Sequence, residues 1–242
     1  MQKVFLYLCL LVCSITLNAQ VSKTNYFFDS TALNNIRNFY SSERGSESAI
    51  YNGKLHYPYA SNIEGVAYFN SEAWQKGSVI YDNTLYENIL MKYDLVQDQL
   101  IIIAYEKTGL PIALFSPRIK EFSLPAFRFV YLDEKKNGSI LPPGFYQLLL
   151  EGRITVFSRN IKVVSEKIEG LQLFRRFEEK NAFYILKDGQ YYLIKTKKDL
   201  LTTLEEHKKE INSHLKKMKL NFRNDPMRSL ISAAELYNRQ PN

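Results

Sequence analysis

The chain has 242 residues, of which 45% are hydrophobic and 24% are charged, a balance typical of a folded globular protein. Lysine and arginine outnumber aspartate and glutamate by 32 to 25, which gives a formal net charge of +7. Both cysteines, Cys9 and Cys13, lie near the start of the chain. The remainder therefore has no thiol for a disulfide, a thiolate nucleophile or a cysteine-bound metal.

Residues 1–19 have the pattern of a secretory signal peptide. Lys3 provides a short positive region, residues 4–17 are apolar, and Ala19 is a small residue suited to signal peptidase. The apolar stretch is shorter than the roughly 20 residues that cross a bilayer. We expect cleavage before Gln20 and no transmembrane helix in the mature chain. The mature protein is expected to be exported, to the periplasm, the outer-membrane surface or the exterior.

The next two segments differ in their pattern. Residues 20–49 are polar, and Ser30 as an N-cap, with apolar residues at helical spacing after it, predicts a short helix over 30–40. Residues 50–194 are predicted to form an antiparallel β domain, because runs rich in Val, Ile, Tyr and Phe alternate with turn signals. Asp82-Asn83 and Asp188-Gly189 are such signals, suited to two-residue hairpins.

The strand patterns also indicate which faces are buried. After the turn at Asp82-Asn83, alternation predicts one apolar face that also carries Glu87. The apolar members of this face are Leu85, Ile89, Met91, Tyr93 and Leu95. The run 100–104 is apolar on both faces and requires cover on both sides, which we expect the C-terminal helices to supply.

Residues 195–242 change to the 3.6-residue period of helices. Thr196 and Asp199 fit a capping box, and Asp225 with Pro226 predicts the start of a second helix. The first helix is predicted to carry an apolar stripe of Leu200, Leu204, Ile211, Leu215, Met218 and Phe222. The fold class predicted is α+β: an antiparallel β-meander or curved sheet with two C-terminal amphipathic helices packed on it as a hairpin. The alternative is an all-β barrel or sandwich with appended helices.

Candidate catalytic groups are few. Asp82 and Asp98 lie in turn-like text, where aspartate is favoured for its backbone geometry, and Asp94 ends a strand. Glu87 is the exception, since burial on an apolar face would require a partner or a raised pKa. A carboxylate-dependent hydrolase would need a second acid beside Glu87, and the spacing does not impose one.

The histidines do not form a metal-binding pattern. His207 and His214 are seven residues apart on a predicted helix, about 10 Å along its axis, which is too far to share one ion. His56 has no identifiable acidic partner in the sequence. Motifs for nucleotide binding and for serine hydrolases are absent from the chain. We predict no catalytic residue, no metal and no cofactor, and we favour a protein that is not an enzyme.

Aromatic residues make up 14% of the chain, and several lie in loop-like text between Leu55 and Trp74. Exposed tyrosine and tryptophan rings can stack on sugars or line an apolar pocket while their polar tips stay hydrated. Tyr57, Tyr59, Tyr68 and Trp74 are therefore the candidate ligand-binding residues. The alternative is that these rings are cross-strand partners within the sheet.

The positive charge is concentrated near the C-terminus. Residues 195–228 contain ten Lys or Arg and five Asp or Glu. One interpretation is a patch for anionic partners such as phosphorylated envelope glycans or lipid head groups. The interpretation we favour is a solvated helix face, because acids are interspersed and lysine is a good helix former. Nucleic acid is not an expected partner of an exported protein.

Three stretches carry a resemblance: "WQKGSVIYDNTLYENILMKYDLVQDQLII", "LPPGFYQLLLEGRITVFSRNIK" and "YYLIKTKKDLLTTLEEHKKEINSHLKK". They are similar to a group of uncharacterised exported proteins of Bacteroidetes, over about residues 50–237. The resemblance implies a bacterial envelope or extracellular setting and brings no catalytic or binding residue with it.

The function expected is that of a non-catalytic binding or scaffolding protein of the envelope, with an apolar or glycan ligand. One alternative is a hydrolase of an envelope glycan. The other is a structural partner of an outer-membrane complex that docks a membrane protein.

Overall fold

The computed structural model describes residues 49–104, 109–133 and 141–240. The predicted signal peptide and the predicted helix over 30–40 lie outside these ranges.

Strands dominate the described part of the chain, from Lys54 to Ile194. Their bounds are β1 Lys54–Leu55, β2 Ile63–Glu64, β3 Gln75–Tyr81, β4 Thr84–Asp94, β5 Gln99–Ala104, β6 Leu110–Ala113, β7 Ile119–Leu124, β8 Phe127–Leu132, β9 Gly144–Leu150, β10 Thr155–Glu169, β11 Gln172–Lys187 and β12 Gln190–Ile194.

All twelve strands belong to one sheet. Eleven of them follow the order β1-β6-β5-β4-β3-β7-β8-β9-β10-β11-β12, and every neighbouring pair on this path is antiparallel. β2 joins the sheet separately and runs parallel to β11. The path ends at β1 and β12, which do not pair with each other, so the sheet is open. The large open sheet with helices near the C-terminus confirms the α+β class. It does not fit the closed-barrel alternative.

Three helices follow the sheet: α1 Lys197–Thr203, α2 Lys208–Lys217 and α3 Pro226–Arg239. Three short 3-10 turns, Ala49–Tyr51, Ser116–Arg118 and Glu205–His207, complete the elements of the described chain. The predicted caps are confirmed: Thr196 and Asp199 form a capping box at α1, and the Asp225 carboxylate accepts a bond from the N–H of Arg228 at the start of α3. Within the described ranges, no helix is long and apolar enough to cross a bilayer.

The prediction of a single helix before α3 was wrong, because the 3-10 turn divides it into α1 and α2. No proline or glycine marks the break in the sequence. Instead, tertiary contacts hold the turn: Glu206 pairs with Lys187 of β11, and the His207 ring lies 5.3 Å from that of Tyr237. Five of the six predicted stripe residues are buried, but Met218 is 56% exposed because α2 has ended there.

The hydrophobic core has two main parts at opposite ends of the strand order. The first lies on β3 to β9, where Phe122 and Phe129 stack with centroids 4.7 Å apart and Tyr93 packs edge-on to both. The second joins the three helices to β9–β12, for example through Leu230 and Ile185.

The run 100–104 in β5 is buried as predicted, apart from the half-buried Ile103. The expectation that the helices cover it was wrong, since they pack on the other end of the strand order. The apolar residues on both faces of β5 predicted its burial, but they do not indicate where β5 lies in the sheet relative to β12.

A bulge in β4 changes which side chains face the core. Asn88 has φ of +59°, and the register of β4 against β3 shifts nearby. Strict alternation placed Leu85 and Glu87 on the core face, whereas Tyr86 packs there and Glu87 is exposed. An extra residue in a strand reverses which side chains point to the core. The faces predicted for the residues before the bulge were therefore wrong. It is confirmed beyond the bulge, for Ile89, Met91, Tyr93 and Leu95.

Candidate ligand-binding site

Three of the four aromatic residues singled out in the sequence lie together. Tyr59, Tyr68 and Trp74 belong to an aromatic cluster completed by His56, Lys92 and Asp94. Tyr57 lies apart from these ring contacts, with 72% of its surface exposed. The ligand-binding role of the four residues stays a prediction, but their surroundings in the structure are specific.

Asp94 is the polar centre of the aromatic cluster and is completely buried. Its two carboxylate oxygens accept the Tyr59 hydroxyl at 3.1 and 2.9 Å. One of them also accepts the backbone N–H groups of Val96 and Gln97 at 2.8 and 3.0 Å. Burial and the neighbouring Asp94 charge raise the pKa of Tyr59, so its hydroxyl remains a donor. Asp94 therefore shapes the turn after β4 and holds Tyr59 against it.

Lys92 lies between two rings of the aromatic cluster. Its Nζ is 4.8 Å from the centroid of Tyr68 and 4.6 Å from that of Trp74, within the range of cation–π attraction. Burial lowers the pKa of Lys92. His56 is buried and its Nε2 lies 3.0 Å from the Tyr68 hydroxyl oxygen. Desolvation lowers the pKa of His56, while the Asp94 charge acts in the opposite direction.

The aromatic cluster also connects the segment before β3 to the hairpin of β10 and β11. The Lys162 ammonium donates to the carbonyl oxygens of Val66 and Tyr68 at 2.7 and 3.1 Å. The Tyr59 ring packs edge-on to Phe177, with centroids 5.3 Å apart. These contacts give the cluster a structural role, since its polar groups bind one another or neighbouring backbone.

The other carboxylates of the β3–β5 region are placed as turn and ion-pair residues. Asp82 has positive φ and pairs with Arg118. Asp98 also has positive φ, accepts the Tyr93 hydroxyl at 2.6 Å and pairs with Arg159 at 2.8 Å. Glu87 is the one carboxylate among the residues that line a shallow cavity of about 300 Å³. Among the described residues, no group of three His, Asp or Glu side chains is arranged to hold a metal ion.

A larger cavity lies where β12 ends, beside the loop between α2 and α3. Its volume is about 870 Å³, more than twice that of the cavity beside Tyr237, about 350 Å³. Ligand pockets typically have volumes of roughly 300–1,000 Å³. We call this space the edge cavity. Its apolar lining includes Phe183, Ile194, Leu220 and Phe222.

The edge cavity is also lined by three cations and by no carboxylate. The cations are Lys195, Lys197 and Arg223, and none of them belongs to an ion pair within the described ranges. Asn181, Thr196 and Asn221 add neutral polar groups. The combination of an apolar wall and three cations without an ion pair in the described ranges suits a ligand with an apolar body and an anionic group, although the Asp199 carboxylate lies near Lys195.

Local hydrogen bonds fix the backbone that carries the cations on the strand side. Ile194 is the last residue of β12 and pairs with Phe183 of β11. The Asp199 carboxylate then accepts the N–H groups of Lys195 and Thr196 at 3.0 and 2.8 Å. These bonds lower the pKa of Asp199, so the carboxylate is ionised and committed to the capping box.

Asn221 fixes the loop that carries Arg223. Its side-chain oxygen accepts the N–H of Arg223 at 2.9 Å, and its backbone carbonyl accepts the N–H groups of Asn224 and Asp225 at 3.1 and 2.9 Å. Pro226 then starts α3. Both sides of the edge cavity are therefore preformed, which reduces the entropy lost on binding.

Sequence reasoning did not select the residues of the edge cavity. The excess of positive charge over residues 195–228 was a signal for them, but we favoured a solvated helix face. The strand side and the loop side of the cavity are 26 residues apart, from Lys197 to Arg223. Only the packing of the helices onto β11 and β12 brings the two together.

Comparison of the chain with protein-family models, with curated proteins and with solved structures found no match in any of the three. The edge cavity is therefore interpreted from its own residues.

Proposed function

We propose that this is a non-catalytic binding protein whose edge cavity takes an amphiphilic anion, with its carboxylate or phosphate beside Lys195, Lys197 and Arg223. The observation that carries the proposal is a preformed cavity of about 870 Å³ lined by three cations and no carboxylate. The apolar part of the ligand packs against Leu220 and Phe222. In an exported protein, as the first 19 residues lead us to expect, envelope lipids and their fragments have this chemistry.

The direct test is calorimetric titration with three ligands of equal chain length: an alkyl carboxylate, an alkyl phosphate and the corresponding alcohol. We expect each anion to bind at least roughly tenfold more tightly than the alcohol, because the uncharged alcohol cannot form the charge-assisted hydrogen bonds that a carboxylate or phosphate forms with the cations. The ratio between carboxylate and phosphate identifies the head group preferred. Equal affinity for the alcohol would contradict the proposal.

Charge variants locate the binding site. Lys197→Gln and Arg223→Gln are each expected to weaken anion binding by about tenfold, the cost of one charged hydrogen bond. Lys198→Gln is the matched control, since Lys198 is exposed in the same helix but does not line the edge cavity. An equal loss in the control would show that general positive charge attracts the ligand rather than this cavity.

A second candidate ligand is an extended peptide, favoured by the edge of β11. β2 and β12 pair with the same edge of β11, at residues 175–176 and 183–187, because β10 occupies the other edge along its whole length. Residues 177–182 between them have no strand partner on that edge in the described chain. A peptide strand could pair there and place a carboxylate in the edge cavity.

Hydrogen exchange separates the two ligands. A bound peptide would protect alternate amides within residues 177–182, since only every second residue of an antiparallel strand faces a given edge. An alkyl anion would leave these amides unchanged.

A further inference from the structure

More positive charge surrounds the edge cavity than its lining contains. Residues 195–199 and 216–228 include the cavity-lining positions of the helical region, and together they hold eight Lys or Arg and two Asp. Eight positive and two negative charges give +6, nearly the whole formal charge of the chain, +7. The excess positive charge of the protein is therefore concentrated beside one cavity.

The acids near the edge cavity are already engaged or offset. Asp199 is bound in the capping box of α1, and Asp225 caps α3 and forms an ion pair within its first turn. On β11, Glu179 is next to Lys180 in the sequence, so the two add no net charge. Residues 211–224 contain four cations and no acid. The cations at the end of α2 are therefore not balanced by acids of their own segment.

Four of the cations flank the edge cavity without lining it. We call these four residues the cationic rim: Lys198, Lys216, Lys217 and Lys219. All four are exposed, and none of them forms an ion pair within the described ranges. Each lies within four residues of Lys197 or Leu220, which line the cavity.

An exposed apolar side chain lies among the residues of the cationic rim. Met218 stands between Lys217 and Lys219 in the chain and is 56% exposed. Among the described residues after Phe174, no other large hydrophobic side chain is exposed. Half-buried Leu220 follows two residues later and lines the edge cavity. Apolar side chains are thus present both inside the cavity and among the cations beside it.

An anionic lipid bilayer matches both the charge and the apolar side chains. Its head groups attract clustered lysines and arginines, its acyl region accepts a side chain such as Met218, and its lipids are themselves amphiphilic anions. A soluble polyanion would interact with the cations alone. Two copies of the chain joined through this surface would bring like charges together, which opposes association.

We propose that the cationic rim docks on an anionic lipid bilayer, with Met218 at the level of the first acyl carbons, and that the edge cavity takes an anionic lipid from that bilayer. The source of the ligand rests on the proposed function. The docking surface does not, because the residues of the cationic rim do not line the cavity.

Flotation of the full chain with vesicles of phosphatidylcholine and phosphatidylglycerol tests the docking surface. Lys216→Gln combined with Lys217→Gln is expected to lower the partition coefficient about tenfold to thirtyfold, since one cation near an anionic surface contributes about fivefold. The matched control is Lys208→Gln combined with Lys209→Gln, which removes the same charge from the other end of α2. That end is about 12 Å away at the rise of a helix, beyond the screening length at physiological salt. The control should therefore change partitioning less than about threefold.

A variant of Met218 separates a bilayer from a soluble polyanion. Met218→Ser is expected to weaken vesicle binding about threefold to tenfold, because the bilayer no longer takes up an apolar side chain. Binding to polyglutamate, measured in parallel, should be unchanged by this substitution. Equal affinity of the native protein for polyglutamate and for the vesicles, with no effect of Met218→Ser on either, would overturn the proposal in favour of an acidic polymer.

Calorimetry with the alkyl phosphate in solution distinguishes this inference from the proposed function. The variant of Lys216 and Lys217 should keep the native affinity, because neither residue lines the edge cavity. Vesicle binding without binding of the alkyl phosphate would support the docking surface and contradict the proposed function. Binding of the alkyl phosphate without vesicle binding would overturn the docking surface alone.

Two further results would overturn the proposal. One is equal partitioning onto vesicles of phosphatidylcholine alone, because these carry no net negative charge. The other is an equal loss in the control variant of Lys208 and Lys209, which would assign the attraction to the general positive charge of the chain.

Discussion

The aromatic cluster and the edge cavity contain the same kinds of side chains, rings and cations. In the cluster these side chains contact one another, whereas in the cavity they line open space. In the aromatic cluster, Lys92 lies between two rings and Asp94 accepts bonds from three residues. In the edge cavity, Lys195, Lys197 and Arg223 line open space without an ion pair in the part of the chain described. Residue type alone thus does not distinguish packing from binding. The two sites differ in whether the cation is packed between rings or lines an open volume.

The largest effect that this comparison predicts is on stability, from Asp94→Ala. The change leaves the Tyr59 hydroxyl and two backbone N–H groups without their acceptor, and each unsatisfied group costs on the order of 1–3 kcal/mol. We expect a loss of about 3 kcal/mol in the free energy of unfolding, measured in urea. Asp82→Asn is the control, since it removes only an exposed ion pair and should cost less than about 1 kcal/mol. Similar losses of stability in both variants would contradict the assignment of Asp94 as the polar centre of the aromatic cluster.

A smaller effect is expected from pH, through His56. Its folded-state pKa is lowered by burial from the ordinary value of 6.5, so the unfolded chain takes up a proton more readily. The contribution of neutral His56 is therefore present above pH 6.5 and is lost as the pH falls below that value. Urea unfolding of the native protein and of His56→Gln over this range should show a shallower dependence in the variant. Parallel curves would show that other groups cause the acid sensitivity.

The smallest effect on stability is expected at the edge cavity. Lys197→Gln combined with Arg223→Gln should change the free energy of unfolding by no more than about 0.5 kcal/mol, because neither cation has an ion-pair partner in the described ranges. Thermal unfolding checks this directly. A large loss would mean that these cations stabilise the fold and would weaken their assignment to a ligand.

Local signals in the sequence predicted the parts of the fold that depend on neighbouring residues. The capping box at Thr196 and Asp199, the N-cap at Asp225 and the turn at Asp82-Asn83 are of this kind. Each depends on hydrogen bonds or backbone angles within about four residues. The aromatic cluster was partly foreseen because three of its rings lie within 16 residues, from Tyr59 to Trp74.

Features set by distant contacts could not be read from the sequence. The bulge at Asn88 belongs to the pairing of two strands, and it reversed the face on which Glu87 was expected. The break between α1 and α2 is held by Lys187 and Tyr237, which lie outside both helices. The edge cavity also depends on contacts between distant residues, since it lies between the end of β12 and the α2–α3 loop.

The parallel pairing of β2 with β11 has a consequence for the order of folding. Ile63 pairs with Arg175, 112 residues later, whereas the β10–β11 hairpin joins partners separated by as few as three residues, Glu169 and Gln172. Closing a long loop costs more entropy than closing a short one, and non-local pairings form late. During synthesis, Ile63 emerges well before its partner exists. We therefore expect the hairpin to form first and the segment around Tyr59 to pack against it late in folding.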